Sequence, residues 1–274
     1  AGPKGGGSGG DRRSTNSGGS MVKVSEEGVV FRSYRDGRKV LLTPESTVQA
    51  QKAYGADIII PLDELPPYHT SPERLRESVL LSHRWEERSL REHLRDPRQQ
   101  AMYAVVHGGL DKDLRRHSAE HLSSLPFDGF GIGGSLGSCH EELVDLLNFL
   151  VPLLPRSKPR HLLGLADERS IAAGIPLGID TFDSCFPTRI ARHGTVLSRK
   201  GRFQLSKAEN ARAFGKPLDD ACSCSTCRHY DRAYLHHLKK ANEPLLWQLI
   251  TVHNIQFMND LMKDYRERIM NDEI

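Results

Sequence analysis

Met102-Tyr-Ala-Val-Val-His-Gly-Gly109 and Phe127-Asp-Gly-Phe-Gly-Ile-Gly-Gly134 decide the fold, because each runs from a short apolar stretch straight into a glycine pair. An apolar run of that length, bounded by turn residues, reads as a strand buried on both faces, which is how parallel sheets are built. Residues 112–124 between them have helical length and a mixed polar pattern, so the unit is strand, helix, strand. Working outward, the unit repeats. Further strands are expected at 56–62, 161–165 and 179–186, and further helices at 72–95, 141–154 and 168–175. Strands that alternate with helices pair in parallel through right-handed crossovers.

The polar residues cluster where these strands end. Asp63-Glu64 follows the first, His107-Gly108-Gly109 the second and Gly133-Gly134-Ser135 the third, while Gly164 lies in the fourth and Asp183 in the fifth. A β/α-barrel gathers its reactive groups in this way, at the carboxyl ends of several strands at once. An open doubly wound sheet would also place them at strand ends, but the spread over five strands favours the barrel.

Composition narrows the classes. The 274 residues carry 38 basic and 35 acidic side chains, a formal charge of +3, so a nucleic-acid contact must come from a local basic surface. No apolar run is long enough to span a bilayer and no leader is evident. Residues 1–20 are rich in Gly and Ser and nearly devoid of apolar side chains; they are expected to be flexible, with the folded unit spanning 21–274. Five cysteines are present and three form Cys222-Ser-Cys224-Ser-Thr-Cys227. That spacing suits one tetrahedral Zn²⁺ in a reducing compartment, which points to the cytoplasm, an organelle being the other option. A histidine would close a four-ligand structural site. Spacing alone leaves His229, His236, His237 and His253 open.

Gly178-Ile-Asp-Thr-Phe-Asp-Ser-Cys-Phe-Pro-Thr-Arg-Ile-Ala-Arg-His-Gly194 resembles the signature of the tRNA-guanine transglycosylases, also called queuine tRNA-ribosyltransferases. The resemblance runs from Glu26-Glu-Gly-Val-Val-Phe31 to the C-terminus. It takes in Pro61-Leu-Asp-Glu-Leu-Pro-Pro-Tyr68, Val106-His-Gly-Gly109, Phe127 to Gly134, Leu163-Gly164, the cysteine cluster and Thr251-Val-His-Asn-Ile255. It implies a (β/α)8-type TIM barrel with a C-terminal zinc-binding subdomain at about 205–274, with Cys222, Cys224, Cys227 and His253 as the ligands of one structural zinc.

The implied activity is exchange of guanine at the wobble position of tRNA bearing a GUN anticodon. Asp183 is the implied nucleophile: it takes C1′ of the ribose from guanine, holds it as an ester and yields it to the incoming base, as in retaining glycosidases. Asp63, His107, Gly134 and Leu163 would hold the base. The carboxylate of Asp63 would accept from the purine N–H edge, and His107 stands where many relatives carry Gln. Gly164, Thr188, Arg189 and Arg192 would contact the RNA around a nucleotide turned out of its stack. The small loop Gly133-Gly-Ser-Leu-Gly137 leaves room for a bulky 7-substituent, favouring queuine over a smaller 7-deazaguanine precursor, as in chlamydia-like members. Family members are dimers, so a homodimer or heterodimer is expected.

The resemblance also implies a preceding segment that bears the first strands and a general acid/base aspartate followed by an aromatic. Asn16-Ser-Gly-Gly19 lacks both and is a chance match. The barrel is therefore expected to be incomplete at its N-terminus, open by a strand or two, and the complete protein longer. Two other readings stand beside the enzyme: a non-catalytic tRNA-binding zinc subunit (or an inactive fragment), and a zinc-stapled barrel acting on a small metabolite.

Overall fold

In the computed structural model, residues 22–274 are described. The Gly/Ser-rich segment 1–20 and the Asn16-Ser-Gly-Gly19 match lie outside the described residues. The chain starts with an antiparallel meander, β1 (Val22–Val24), β2 (Val29–Arg32) and β3 (Lys39–Leu42), in the order β1-β2-β3. Next come α1 (Pro44–Tyr54), β4 (Ile58–Ile59), α2 (Pro72–His93), β5 (Ala101–Val106), α3 (Lys112–Ser123), β6 (Gly129–Ile132) and α4 (His140–Leu150). They are followed by β7 (Arg160–Leu162), α5 (Glu168–Gly174), β8 (Thr181–Phe182) and α6 (Phe186–Arg192). A two-stranded pair, β9 (Thr195–Val196) and β10 (Phe203–Gln204), leads into α7 (Ser225–His229), α8 (Arg232–Ala241) and the long α9 (Leu245–Met270).

The central sheet has the order β4-β5-β6-β7-β8, and every neighbouring pair is parallel. Sequential strands lying side by side in one direction form a curled half barrel, with β4 and β8 at its two edges among the described residues. Among the described residues the sheet stops three strands short of a closed ring of eight, a wider gap than the strand or two expected, and the three strands that precede β4 form the separate meander instead. The meander is fastened to α2, where Trp85 Nε1 donates to Glu26 O at 2.9 Å and Arg88 reaches the same carbonyl at 2.8 Å.

Local chemistry sets the helix starts. Ser71, Asp111, Asp167 and Asp231 each accept from backbone N–H groups in the first turns of α2, α3, α5 and α8, answering the donors that a helix start leaves unpaired. Thr43 and Ser46 form a reciprocal capping box on α1, whose far end is closed by Gly55 at φ 73°.

Two apolar cores result. One unites the parallel strands with the helices outside them, through Met102, Phe130, Ile132, Leu146 and Leu162. The second lies in the C-terminal third, where Ala191, Val196, Leu205, Leu235, Leu249 and Ile250 pack α6, β9, α8 and α9 together.

Several elements differ from their expected bounds. The first parallel strand is two residues long, not seven, because Pro61 has no N–H for the ladder and Ile60 N donates instead to Gln51 Oε1 at 2.9 Å. Beyond that point β5 has no strand on its β4 side, and the side chain of Glu86 takes the Val105 N–H at 2.9 Å. Residues 179–186 divide into β8 and the start of α6, whose entry is set by Pro187 in the first turn. The charged C-terminal stretch is two helices, α8 and α9, parted by Asn242 in the left-handed conformation (φ 57°) and by Pro244.

Candidate functional site

All five parallel strands point the same way, so the residues just past them form one rim. In strand order the rim carries Asp63, His107, Gly134, Leu163 with Gly164, and Asp183, which brings the residues singled out in the sequence to one end of the sheet.

At the β4–β5 side, His107 is almost wholly buried, and its Nε2 lies 3.0 Å from Asp63 Oδ2. The contact is within ion-pair range but lacks hydrogen-bond alignment, so Nε2 is an unsatisfied buried atom. An orphaned polar atom beside a half-exposed carboxylate calls for a polar ligand. Gly134 sits at φ 74°, and a Cβ there would come within 3.2 Å of His107 Nδ1. A side chain would be strained and would crowd the imidazole, so glycine keeps the Gly134 amide open to the rim.

Leu163 lies across the sheet face beside these groups. A Cβ at Gly133 would meet Leu163 Cδ1 at 2.9 Å and Val105 Cγ1 at 2.6 Å. The missing side chain is what allows the leucine to lie flat over β6, leaving a half-buried apolar surface next to the polar pair. A cavity of about 300 Å³ opens beside His107 and Gly134, walled by Glu64, Pro67, Tyr68 and Leu75.

On the other side of the rim, Asp183 follows β8 with its side chain 57 % exposed. Its Oδ1 accepts from Gly164 N at 2.8 Å and lies 3.1 Å from His161 Nε2. The loops between the two sides are braced by Arg115, a fully buried guanidinium on α3. It donates to the carbonyls of Val106, Gly109, Gly133 and Ser135 at 2.6 to 2.9 Å. Its removal from water, with no carboxylate beside it, pulls its pKa down to about 9.

Thr188, Arg189 and Arg192 are on α6, directly after Asp183. Thr188 Oγ1 donates to Cys185 O at 3.0 Å. Arg189 and Arg192 are exposed and make no ion pair or side-chain hydrogen bond among the described residues.

The cysteine cluster converges with one of the four candidate histidines. The ligand atoms of Cys222, Cys224, Cys227 and His253 all lie within 4.8 Å of one another. His253 Nδ1 is 3.3 Å from Cys227 Sγ and 3.7 Å from Cys224 Sγ. Tetrahedral Zn²⁺ with ordinary bond lengths places sulfur and nitrogen ligands about 3.5 Å apart, so the spacing fits. The opposite ring nitrogen, Nε2, donates to Leu197 O at 2.8 Å, which turns the Nδ1 lone pair towards the sulfurs. Burial pushes the Cys222 thiol up to about 12 and raises Cys227 as well. Thiols so disfavoured as anions become ligands when a bound cation compensates their charge. Three sulfurs and one nitrogen leave no open position, so the set is suited to holding structure and not to chemistry. His229 and His236 instead contact backbone carbonyls, of Ser225 and Leu205.

Three residues of consequence were not singled out in the sequence. His161 could have been found from strand parity: His161 and Leu163 alternate on β7 as Thr181 and Asp183 do across β8, and the register sets His161 opposite Thr181. Arg115 and Asn254 carry no such signal, because an arginine on a polar helix and an asparagine beside a histidine look ordinary.

Comparison with known proteins is consistent with this arrangement. The family described as queuine tRNA-ribosyltransferase matches residues 8–274. A queuine tRNA-ribosyltransferase of Protochlamydia amoebophila is 54 % identical over 263 residues, which cover 96 % of this chain and 68 % of that protein. Similarity extends to the proteins of the same name from Chlamydia caviae, 46 % identical over 93 % of this chain and 68 % of the relative, and Chlamydia trachomatis serovar L2, 44 % identical over 94 % and 69 %.

Proposed function

This chain belongs to the queuine tRNA-ribosyltransferase family, and on that premise we propose that it exchanges guanine at the wobble position of GUN-anticodon tRNA for queuine or a related 7-deazaguanine. The observation that carries the reading is the exposed Asp183 carboxylate, held by the Gly164 amide on a rim that also bears the Asp63–His107 pair.

In this reading an oxygen of Asp183 attacks ribose C1′ as the bond from C1′ to the guanine nitrogen breaks. Guanine leaves with the bonding pair and takes up a proton. The incoming base gives up a proton and attacks C1′, releasing the carboxylate, so the exchange is balanced in protons and needs no cofactor electrons. Two displacements at one carbon retain its configuration. Asp63 and His107 would read the polar edge of the base, the Gly134 amide its carbonyl, and Leu163 would cover its face. Gly164, Thr188 and the unpaired Arg189 and Arg192 would hold the flanking RNA, where guanidinium groups can meet phosphates or stack on splayed bases. Zn²⁺ is the metal we assign to the Cys222, Cys224, Cys227 and His253 set. A dimer acting in the cytoplasm completes the proposal.

The test is exchange of labelled guanine into such a tRNA by the full-length protein. Asp183→Asn is expected to lower the rate by about three orders of magnitude or more and to abolish the denaturant-stable protein–RNA adduct. An Asp183→Asn protein that still forms the adduct removes Asp183 from the role.

A further inference from the structure

The two oxygens of Asp183 are not equivalent. Oδ1 receives both the Gly164 amide (2.8 Å) and His161 Nε2 (3.1 Å). Oδ2 has no partner among the described residues. His161 is itself fixed from behind, its Nδ1 lying 2.8 Å from the hydroxyl of Thr181. The side chains thus form a line from Thr181 through His161 to Asp183, built on the neighbouring strands β7 and β8.

We propose that His161 is a positioning residue for Asp183, fixing the carboxylate through Oδ1 so that Oδ2 is the oxygen presented to C1′. The inference rests on Asp183 being the nucleophile. A carboxylate this exposed has no packing to hold it and would turn freely about its Cβ–Cγ bond. Two donors meeting on one oxygen stop that rotation and leave the second oxygen free, which reduces the orientational cost of attack. The Thr181 hydroxyl anchors Nδ1, which leaves Nε2 aimed at Oδ1, where an N–H on that nitrogen can donate.

Guanine exchange into GUN-anticodon tRNA, measured as kcat and KM with the full-length protein, separates this role from a structural one. His161→Phe is expected to lower kcat by about tenfold or more, with KM for tRNA within about twofold and an unchanged melting temperature. His161→Gln, whose amide N–H can reach Oδ1, should recover most of the loss. Thr181→Val, which removes the hydroxyl that anchors the ring from behind but keeps the imidazole, should fall between. A His161→Phe protein with wild-type kcat overturns the inference, as does a His161→Gln protein no better than His161→Phe. If His161→Phe fails to fold, a Thr181→Val protein with wild-type kcat overturns it equally. Absence of exchange by the wild-type protein is the distinct result that overturns the proposed function.

Discussion

Arg115 holds together the loops that follow β5 and β6 on the rim, and it does so without a counter-ion among the described residues. Four carbonyl oxygens receive its N–H groups, three of them in buried contacts, so truncation strands buried acceptors. Arg115→Leu is expected to lose at least about 3 kcal/mol in urea denaturation. Arg115→Lys, which keeps the charge but not the fork, should lose somewhat less. Either variant that folds should bind the base more weakly, read as a raised KM for guanine. At this scale the sequence was most informative where a residue type is improbable without a reason. Three clustered cysteines meet His253, and an aspartate and two glycine pairs lie just past parallel strands, as their neighbours in the sequence suggest. Asn254 stayed hidden because its partners lie far along the chain, and Arg115 because backbone carbonyls in loops carry no side-chain signal, whereas strand parity could have shown His161.

Among the elements, α2 turns a polar face towards the sheet, where Ser78, Ser82, His83, Glu86 and Ser89 are buried. Glu86 is there to accept the Val105 N–H that the short β4 leaves unpaired, and its complete burial drives its pKa well above the ordinary carboxylate range, with the Asp63 charge adding to the shift. A group with a raised folded-state pKa binds its proton more tightly folded than unfolded. Its contribution is fully present below the unfolded-state pKa and is lost as pH rises towards the folded value. Glu86→Gln, neutral at every pH and still an acceptor, is expected to melt a few degrees above wild type at pH 8. The gap should close below about pH 4, where the unfolded glutamate is protonated too. Equal melting temperatures across that range would show Glu86 to be ionised in the fold. Hydrophobic periodicity located the parallel strands and the helices between them but could not bound β4, whose end is set by one proline and one glutamine. The N-terminal meander and α1 went unread because β1 is exposed and the hydrophobic patterning of that region is weak.

Taken whole, the described chain consists of a half barrel and a C-terminal unit with its own core. The alternation of strands and helices made the parallel sheet legible, and the missing opening motif made an unclosed barrel expected, although the gap among the described residues is wider than the strand or two foreseen. Among those residues no helix is long and apolar enough to cross a membrane. Of the four candidate metal ligands Cys227 packs against the second core and none against the first, so the loss of a bound ion should be felt in the C-terminal unit first. We expect about one zinc per chain, lost in Cys224→Ser or after chelation. Hydrogen exchange should then quicken in α7 and α9 while β5 and β6 stay protected. Uniform quickening would mean that the two cores unfold as one.

Asn254, the residue after His253, is buried and accepts the Leu197 N–H while donating to Pro187 O and Thr195 O. A single carboxamide therefore pins the helix that carries His253 to both ends of the corner that holds α6, and Asp183 stands only a few residues before that corner. Whatever loosens the grip on the ion would slacken the footing of the arginines beside it, so a protein depleted of zinc should surrender its hold on RNA before its half barrel melts.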